Sequence, residues 1–201
     1  MATLVPVLLG LSLFTTTANA LGPLDGEVGV TWWSHDIDDG GNNIDADGTG
    51  IYGELWWADG WGVAGQYFES DPGRGFGTAS DFSIDLKRRL ISPTDNTFLA
   101  IGLGWQNAEF LGGEDTDGVR LLAEGRVGLG LFFVYGEAAF MPSMSNAGGR
   151  RDIDGSEYEA GVSLTPFPFL NLRLGYRVFN LDYRGGSEDS DGYYLGGAFH
   201  F

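Results

Sequence analysis

The sequence predicts an all-β protein, a transmembrane antiparallel up-and-down β-barrel of ten strands, with eight strands as the alternative. Three observations predict this fold: apolar and polar residues alternate in one segment after another, long and short connections alternate between those segments, and glycine and aromatic residues are both abundant. The 201 residues include 34 Gly and 14% aromatic residues. Because Gly is unfavourable inside helices and aromatic side chains favour pleated surfaces, this composition favours strands.

The same composition excludes several classes of function. A chain without Cys has no disulfide framework, no thiolate metal site and no Cys nucleophile. Acidic residues number 28 against 11 Lys and Arg, which gives a net charge of -17. Nucleic-acid surfaces need clustered basic residues, so we expect no nucleic-acid partner. We also expect no cofactor. The hydrophobic content of 43% is too high for a disordered chain.

Residues 1–20 have the pattern of a secretory signal peptide. An apolar run from residue 4 to residue 14 is followed by Ala18-Asn19-Ala20, which matches an A-x-A cleavage site. The run is too short for a helical membrane span. No Lys or Arg precedes it, which departs from the usual pattern, and a buried N-terminal strand or a misassigned start are the alternatives. We expect cleavage after Ala20, which leaves residues 21–201 as the barrel.

Strict alternation defines the predicted strands. In the clearest case, Phe82, Ile84 and Leu86 point to one face while Asp81 and Asp85 point to the other. The ten predicted strands cover approximately residues 27–35, 50–57, 61–68, 80–87, 99–106, 119–128, 133–140, 157–164, 170–178 and 193–201.

The predicted connections are alternately long and short along the chain. The long polar ones are residues 36–49, 69–78, 109–118, 142–155 and 185–192, and the short ones are residues 58–60, 92–96, 128–130 and 165–168. This order is typical of outer-membrane barrels, in which short turns face the periplasm and longer loops face outward.

Two features favour a membrane barrel over a soluble sandwich, which alternation alone does not distinguish. Aromatic residues collect near strand ends and are predicted to form interfacial girdles. They are Trp32, Trp33, Trp56, Trp57, Trp61, Trp105, Phe140, Phe167, Phe169, Phe199 and Phe201. All the basic residues except Lys87 are Arg, whose guanidinium suits buried pairing with carboxylates.

In such a barrel the charged faces of the strands would line the lumen. The predicted lumen-facing charged residues are Glu54, Asp81, Asp85, Lys87, Arg120, Glu124, Arg126, Glu137, Glu157, Glu159, Arg173 and Arg177. A ten-stranded lumen is narrow compared with that of an open porin. Because Tyr52, Phe68, Phe133 and Tyr135 are also predicted to point inward, we expect a largely filled lumen with at most a thin polar path.

The last strand resembles the C-terminal assembly signal of bacterial outer-membrane proteins. The matching positions are Tyr194, Gly196, Phe199 and the terminal Phe201. The resemblance implies an outer-membrane location in a Gram-negative bacterium, with the barrel-assembly machinery as a partner that pairs with this strand. Outer-membrane lipid and lipopolysaccharide would be the other partners. An ordinary edge strand is the alternative interpretation.

The C-terminal third, roughly residues 132–201, also resembles the YfaZ-type outer-membrane proteins. The matching stretches are Tyr135-Gly136-Glu137-Ala138, Met141-Pro142-Ser143, Tyr158-Glu159-Ala160-Gly161-Val162-Ser163, Leu174-Gly175-Tyr176-Arg177, Asn180-Leu181 and Asp191-Gly192. This resemblance implies a small outer-membrane barrel of poorly defined function, and it carries no catalytic residues to transfer.

Catalytic and metal-binding signals are weak. His35 has Ser34 and Asp36 beside it, but adjacent strand residues point to opposite faces, and His200 has no Ser on its strand. We therefore predict no catalytic residue. The acidic stretch that contains Asp36, Asp38, Asp45 and Asp47 is a weak candidate for a divalent cation. It lacks the bidentate Glu of an EF-hand, and a solvated loop is the favoured interpretation.

The predicted function is an integral outer-membrane barrel with a structural or surface role, a largely filled polar lumen and no catalysis. A narrow channel for cations or small solutes is one alternative, and a lipid-modifying or proteolytic barrel enzyme is the other.

Overall fold

Ten antiparallel strands form one closed sheet in the computed structural model, which describes residues 24–57, 60–73, 77–94, 96–111 and 113–201. The predicted signal peptide, residues 1–20, lies outside the described residues. The strands are β1 (Asp25–Asp39), β2 (Asn42–Trp57), β3 (Trp61–Asp71), β4 (Ala79–Thr94), β5 (Thr97–Glu109), β6 (Asp115–Leu129), β7 (Phe132–Met144), β8 (Ile153–Phe167), β9 (Leu170–Tyr183) and β10 (Gly186–His200).

The barrel closes where the first strand meets the last. β1 pairs with β10 in a register that places Val28 opposite Phe199. Beyond β10, the chain end is held by two backbone hydrogen bonds between Gly26 and Phe201, of 3.0 and 2.9 Å. Closure removes the unpaired edges that an open sheet would expose. The predicted up-and-down barrel of ten strands is therefore confirmed.

The outer wall is apolar and the inner wall is polar, as the alternation predicts. On β4, Ile84 is 48% exposed on the outside, whereas Asp85 is 3% exposed on the inside. Strands that face hydrocarbon need this arrangement, because their backbone groups are paired within the wall and their outward side chains contact lipid. The described part of the chain contains no helical segment with the length and hydropathy of a membrane span.

At the end of the barrel opposite the two chain termini, here called the distal end, strands replace most of the predicted long loops. β1 and β2 continue to a turn of two residues, Gly40 and Gly41, whose φ angles are 61° and 103°. A hairpin turn of this kind requires positive φ at both positions, which Gly adopts without strain. The expected loop at residues 36–49 is thus mostly strand. Its outward side chains are polar because it continues beyond the apolar belt.

Glycines on the inner wall make room for aromatic rings in the narrow lumen. Each ring lies directly opposite a glycine of the neighbouring strand in five pairs: Tyr52 and Gly29, Phe68 and Gly50, Trp56 and Gly62, Tyr135 and Gly161, and Tyr194 and Gly175. A Cβ atom at Gly62 would meet the Trp56 ring at 2.6 Å. The high glycine content therefore reflects close packing of rings against the wall.

Candidate functional site

A cluster of charged side chains fills the lumen, and ion pairs connect its members. All twelve residues predicted to face the lumen lie on the inner wall, and each forms at least one ion pair with another charged side chain of the lumen. Arg120 and Arg177 are 1% and 0% exposed. Buried charges are tolerated only when they are paired and hydrogen-bonded, so these contacts decide how the lumen is filled.

Arg177 forms the layer nearest the distal end. Its guanidinium binds Asp81 through two nitrogens at 2.8 and 3.1 Å, and its Nε donates to Glu157 at 2.8 Å. The same guanidinium lies 4.2 Å from the centre of the Phe68 ring and 4.9 Å from that of Trp33. The Arg177 guanidinium therefore combines a bidentate ion pair with contacts to two rings, and its side chain is fully buried.

Arg120 forms the next layer and shares a carboxylate with Arg177. It donates to Glu137 at 2.7 Å and to Glu157 at 2.9 Å, and it also forms an ion pair with Asp85. Because Glu157 binds both guanidinium groups, the two layers form one continuous network. Gln66 adds a hydrogen bond of 3.0 Å to Glu157.

Lys87 forms a third layer toward the terminal end, the end where the chain begins and finishes. Its ammonium group donates to Glu124 at 2.7 Å and also to Glu54, and Arg126 lies 3.4 Å from the same Glu54. The ring of Trp56 lies beneath, with the Lys87 nitrogen 5.1 Å from its centre.

Arg89 lies closest to the terminal end. Its guanidinium lies 4.1 Å from the centre of the Trp56 ring and 4.3 Å from that of Phe98. At each end of the charged lumen an arginine is therefore packed on two aromatic rings.

Glu27 and Arg89 are charged lumen residues that were not among the predicted lumen-facing residues, and Asn171 joins them as a buried amide. Glu27 is buried and lies 3.6 Å from Arg173, and it accepts a hydrogen bond of 2.9 Å from Asn171. Arg173 also lies 4.5 Å from the centre of the Tyr135 ring. The available signal was parity, because Glu27 precedes Val28, which faces outward, and therefore must face inward.

The prediction of an interfacial girdle is wrong for Trp33 and Trp56. Both are buried inside the barrel, at 3% and 4% exposure, whereas their neighbours Trp32 and Trp57 face outward. Adjacent residues of a strand cannot point to the same side, so only one Trp of each pair can reach the membrane interface.

Above the charged layers the distal end contains an apolar core. Phe110, Met141, Ile153 and Leu181 belong to one buried hydrophobic cluster there. Glu188 lies nearby beyond the apolar belt, and its carboxylate accepts a hydrogen bond from the backbone N–H of Leu111 at 3.3 Å. Burial raises the pKa of Glu188 to about 7, because removal from water penalises the ionised form.

His35 is buried at the distal end, beyond the apolar belt, with no catalytic partner. Its ring stacks on Trp33 with ring centres 3.7 Å apart, and neither ring nitrogen has a hydrogen-bond partner among the described residues. Burial lowers the pKa of His35 to about 4, so the imidazole is neutral at neutral pH. His200 lies at the other end, 3.5 Å from Asp25.

The acidic residues that formed the weak cation candidate lie on strands, not on a loop. Asp36 is directly opposite Asp45 on one side and Asp191 on the other, and all three are exposed on the outer face. A hydrogen bond between the Asp36 and Asp45 carboxyl groups raises the pKa of Asp36. Within the described ranges, no group of three or more His, Asp or Glu side chains is arranged to hold a metal ion.

The four positions of the predicted assembly signal divide between the two faces of β10 and the chain end. Tyr194 is buried and its hydroxyl donates to Glu159, whereas Phe199 is 56% exposed on the outer wall. Gly196 faces inward, and the backbone of Phe201 pairs with Gly26 on β1.

Comparisons with known proteins identify the fold of the chain but not its family. No protein-family model and no curated protein matches the chain. The outer-membrane protease OmpT from Escherichia coli matches with a TM-score of 0.58 at 11% identity, over 90% of this chain and 98% of that chain. Neisserial surface protein A matches with a TM-score of 0.51 at 12% identity, over 88% and 97%. The YfaZ-type resemblance stays a prediction, and the chain has the closed antiparallel fold of outer-membrane β-barrels.

Proposed function

We propose that this protein is an integral outer-membrane barrel of a Gram-negative bacterium, with a structural or surface role and a closed lumen that performs no catalysis. One observation carries the proposal: at each end of the charged lumen an arginine packs on two aromatic rings. They are Arg177 with Trp33 and Phe68, and Arg89 with Trp56 and Phe98.

Three independent features support the outer-membrane location. They are the predicted signal peptide at residues 1–20, the apolar outer wall and the assembly signal on β10. In this arrangement the distal end faces the outside, because short turns and chain termini lie in the periplasm. The surrounding partners are outer-membrane lipid and lipopolysaccharide, and the assembly machinery engages β10. Kinship with the YfaZ-type proteins is part of this proposal.

The absence of catalysis is proposed from the two histidines. General base catalysis needs a side chain within hydrogen-bond reach of the group whose proton it takes. His35 packs flat on Trp33, and Ser34 lies on the opposite face of β1. His200 has Asp25 as its partner, and no nucleophile contacts it among the described contacts.

Planar-bilayer recording tests the closed lumen against the alternative of a narrow channel. We expect no unitary current from the purified barrel at neutral pH, because ions would have to displace two guanidinium groups from buried carboxylates. An open porin in the same bilayer is the positive control. Stable unitary steps from the wild-type protein would contradict the closed lumen and favour the cation channel.

A further inference from the structure

The connection between β5 and β6 lies across the distal mouth of the barrel. Its described residues Phe110, Leu111, Gly113 and Glu114 are here called the lid. The Gly113 N–H donates to the carbonyl oxygen of Phe110 at 2.8 Å, and the Phe110 N–H donates to that of Glu114 at 3.0 Å. Gly113 has a φ of 76°, which Gly adopts without strain. The lid is therefore a compact turn with a defined backbone.

The lid packs against both sides of the mouth. Phe110 is 0% exposed and belongs to a buried cluster with residues of β7, β8 and β9. Leu111 belongs to a second buried cluster, with Ile37 of β1 and Ala46 of β2. Because β1 lies on the opposite side of the closed sheet from β6, these two contacts place the lid over the inner wall of the mouth.

The two sides of the lid are held differently. On the near side, Glu114 forms an ion pair with Arg150 of the β7–β8 connection, and this guanidinium lies 4.3 Å from the centre of the Phe110 ring. On the far side, the polar contact among the described residues is between Leu111 and Glu188 of β10. The Leu111 N–H donates to both carboxylate oxygens, at 3.3 and 3.4 Å. Release of the far side therefore depends on one carboxyl group.

Burial and like charges surround the Glu188 carboxyl. Glu188 is 6% exposed, Asp39 of β1 is directly opposite, and Asp189 follows it on β10. The residue opposite on β9 is apolar, and Arg150 is the cation whose charge acts on Glu188. Burial raises the pKa of Glu188 to about 7. The two aspartates act in the same direction, whereas the Leu111 hydrogen bond and Arg150 act against it. The closed lid therefore favours the neutral carboxyl.

We propose that Glu188 makes the lid sensitive to pH: the lid covers the distal mouth when this carboxyl is protonated and opens on the β10 side when it ionises. A protonated carboxyl still accepts the Leu111 N–H, and it carries no charge that needs water. When the lid opens, water reaches Glu188 and its pKa returns to the ordinary value, so ionisation stabilises the open position. Each unit of pKa difference changes the opening equilibrium tenfold, so the open fraction should rise by roughly fiftyfold between about pH 5 and pH 8.

Opening would uncover the apolar inner wall of the mouth, which includes Ile37 and Ala46. The lid lies above the charged layers of the lumen, so the proposal does not depend on whether those layers conduct ions. Unitary currents in a planar bilayer would contradict the closed lumen and would leave the lid untouched.

Thiol labelling of the refolded barrel in detergent micelles tests the proposal. The chain has no Cys, so Ala46→Cys introduces a single thiol beneath Leu111, at a position that is 6% exposed. A maleimide reaches this thiol only when the lid opens. The labelling rate divided by the rate in the same protein with Glu188→Gln cancels the pH dependence of the thiol itself. We expect this ratio to rise by roughly fiftyfold from about pH 5 to pH 8, and a constant ratio would overturn the proposal.

Ala100→Cys is the matched control for global unfolding. Ala100 is 0% exposed and belongs to the cluster of Trp56 and Phe98 at the terminal end. Its thiol is reached only when the whole barrel unfolds, so we expect labelling at least about a hundredfold slower than in Ala46→Cys. Equal rates in the two proteins would show that global unfolding exposes both thiols, and the lid would be refuted.

A second variant tests the cover itself, even if Glu188→Gln does not fold. Leu111→Ala, combined with Ala46→Cys, removes the contact of the lid with the far wall. At about pH 5, where the lid is closed, we expect it to raise the labelling rate by about tenfold or more. An unchanged rate would show that Leu111 does not cover Ala46 and would overturn the proposal.

Discussion

Glu188 gives the sharpest test of the electrostatics, because its carboxyl is buried beyond the apolar belt. Its pKa rises from 4.5 in the unfolded chain to about 7 in the folded barrel. A raised carboxyl pKa means that the folded state binds the proton more tightly, so this group destabilises the fold as pH rises from 4.5 to 7. The loss is on the order of 3 kcal/mol above pH 7, and it is absent below pH 4.5.

The change Glu188→Gln removes this loss and keeps an oxygen that can accept the Leu111 N–H. We expect the variant and the wild type to have similar free energies of unfolding at about pH 4. At about pH 8 the variant should be more stable by roughly 2 to 3 kcal/mol. Urea unfolding of the refolded barrel in micelles, followed by tryptophan fluorescence, measures both values.

Glu69→Gln is the matched control, because Glu69 is exposed on the outer face of β3. It measures the effect of removing one negative charge from the outer face, and the pH dependence of Glu188→Gln should exceed that of this control. If Glu188→Gln gave a constant difference from the wild type across this pH range, burial would not be raising the pKa of Glu188, and the argument would fail.

Three further predictions concern other parts of the barrel. Arg177→Ala leaves Asp81 buried without its cation, while Glu157 keeps its ion pair with Arg120, and should lower the free energy of unfolding by about 3 to 5 kcal/mol, measured by urea unfolding. Gly62→Ala places a methyl group 2.6 Å from the Trp56 ring and should lower Tm by several degrees, whereas Gly53→Ala, with its nearest neighbour at 3.7 Å, should change Tm little. Because the folded state holds His35 neutral with a pKa of about 4, the wild type should lose stability relative to His35→Phe as pH drops from about 6.5 to 4, and the Tm difference between the two proteins should grow across that range. The difference is the quantity to measure, because protonation of Glu188 acts in the opposite direction in the same range.

The period-2 pattern was sufficient to predict which side chains face outward, and it favoured ten strands while leaving eight open. Phe82, Ile84 and Leu86 could be assigned to the outer wall because a strand alternates strictly. The same rule should have separated Trp32 from Trp33, but the two residues were grouped by their position near a strand end. The distal parts of the strands have polar side chains on their outer face. Without an alternation of apolar and polar residues, these parts had the composition of a loop and were predicted as loops.

The pairing within the lumen could not be predicted, because it depends on contacts across the barrel. Arg177 and Asp81 are 96 residues apart in sequence and lie on β9 and β4, which are not neighbours in the sheet. Which carboxylate meets which guanidinium is decided by strand tilt and stagger. The sequence supplies the charged residues of the lumen, and the closed wall decides their partners.

The row formed by Asp191, Asp36 and Asp45 places three carboxyl groups side by side on adjacent strands, where like charges repel. Dissolved salt shortens the reach of that repulsion to about 10 Å at 0.1 M. We therefore expect these distal strands to hold together more firmly at high salt than at low salt. In the orientation proposed above, the salt concentration of the medium outside the cell would act on this row of carboxyl groups.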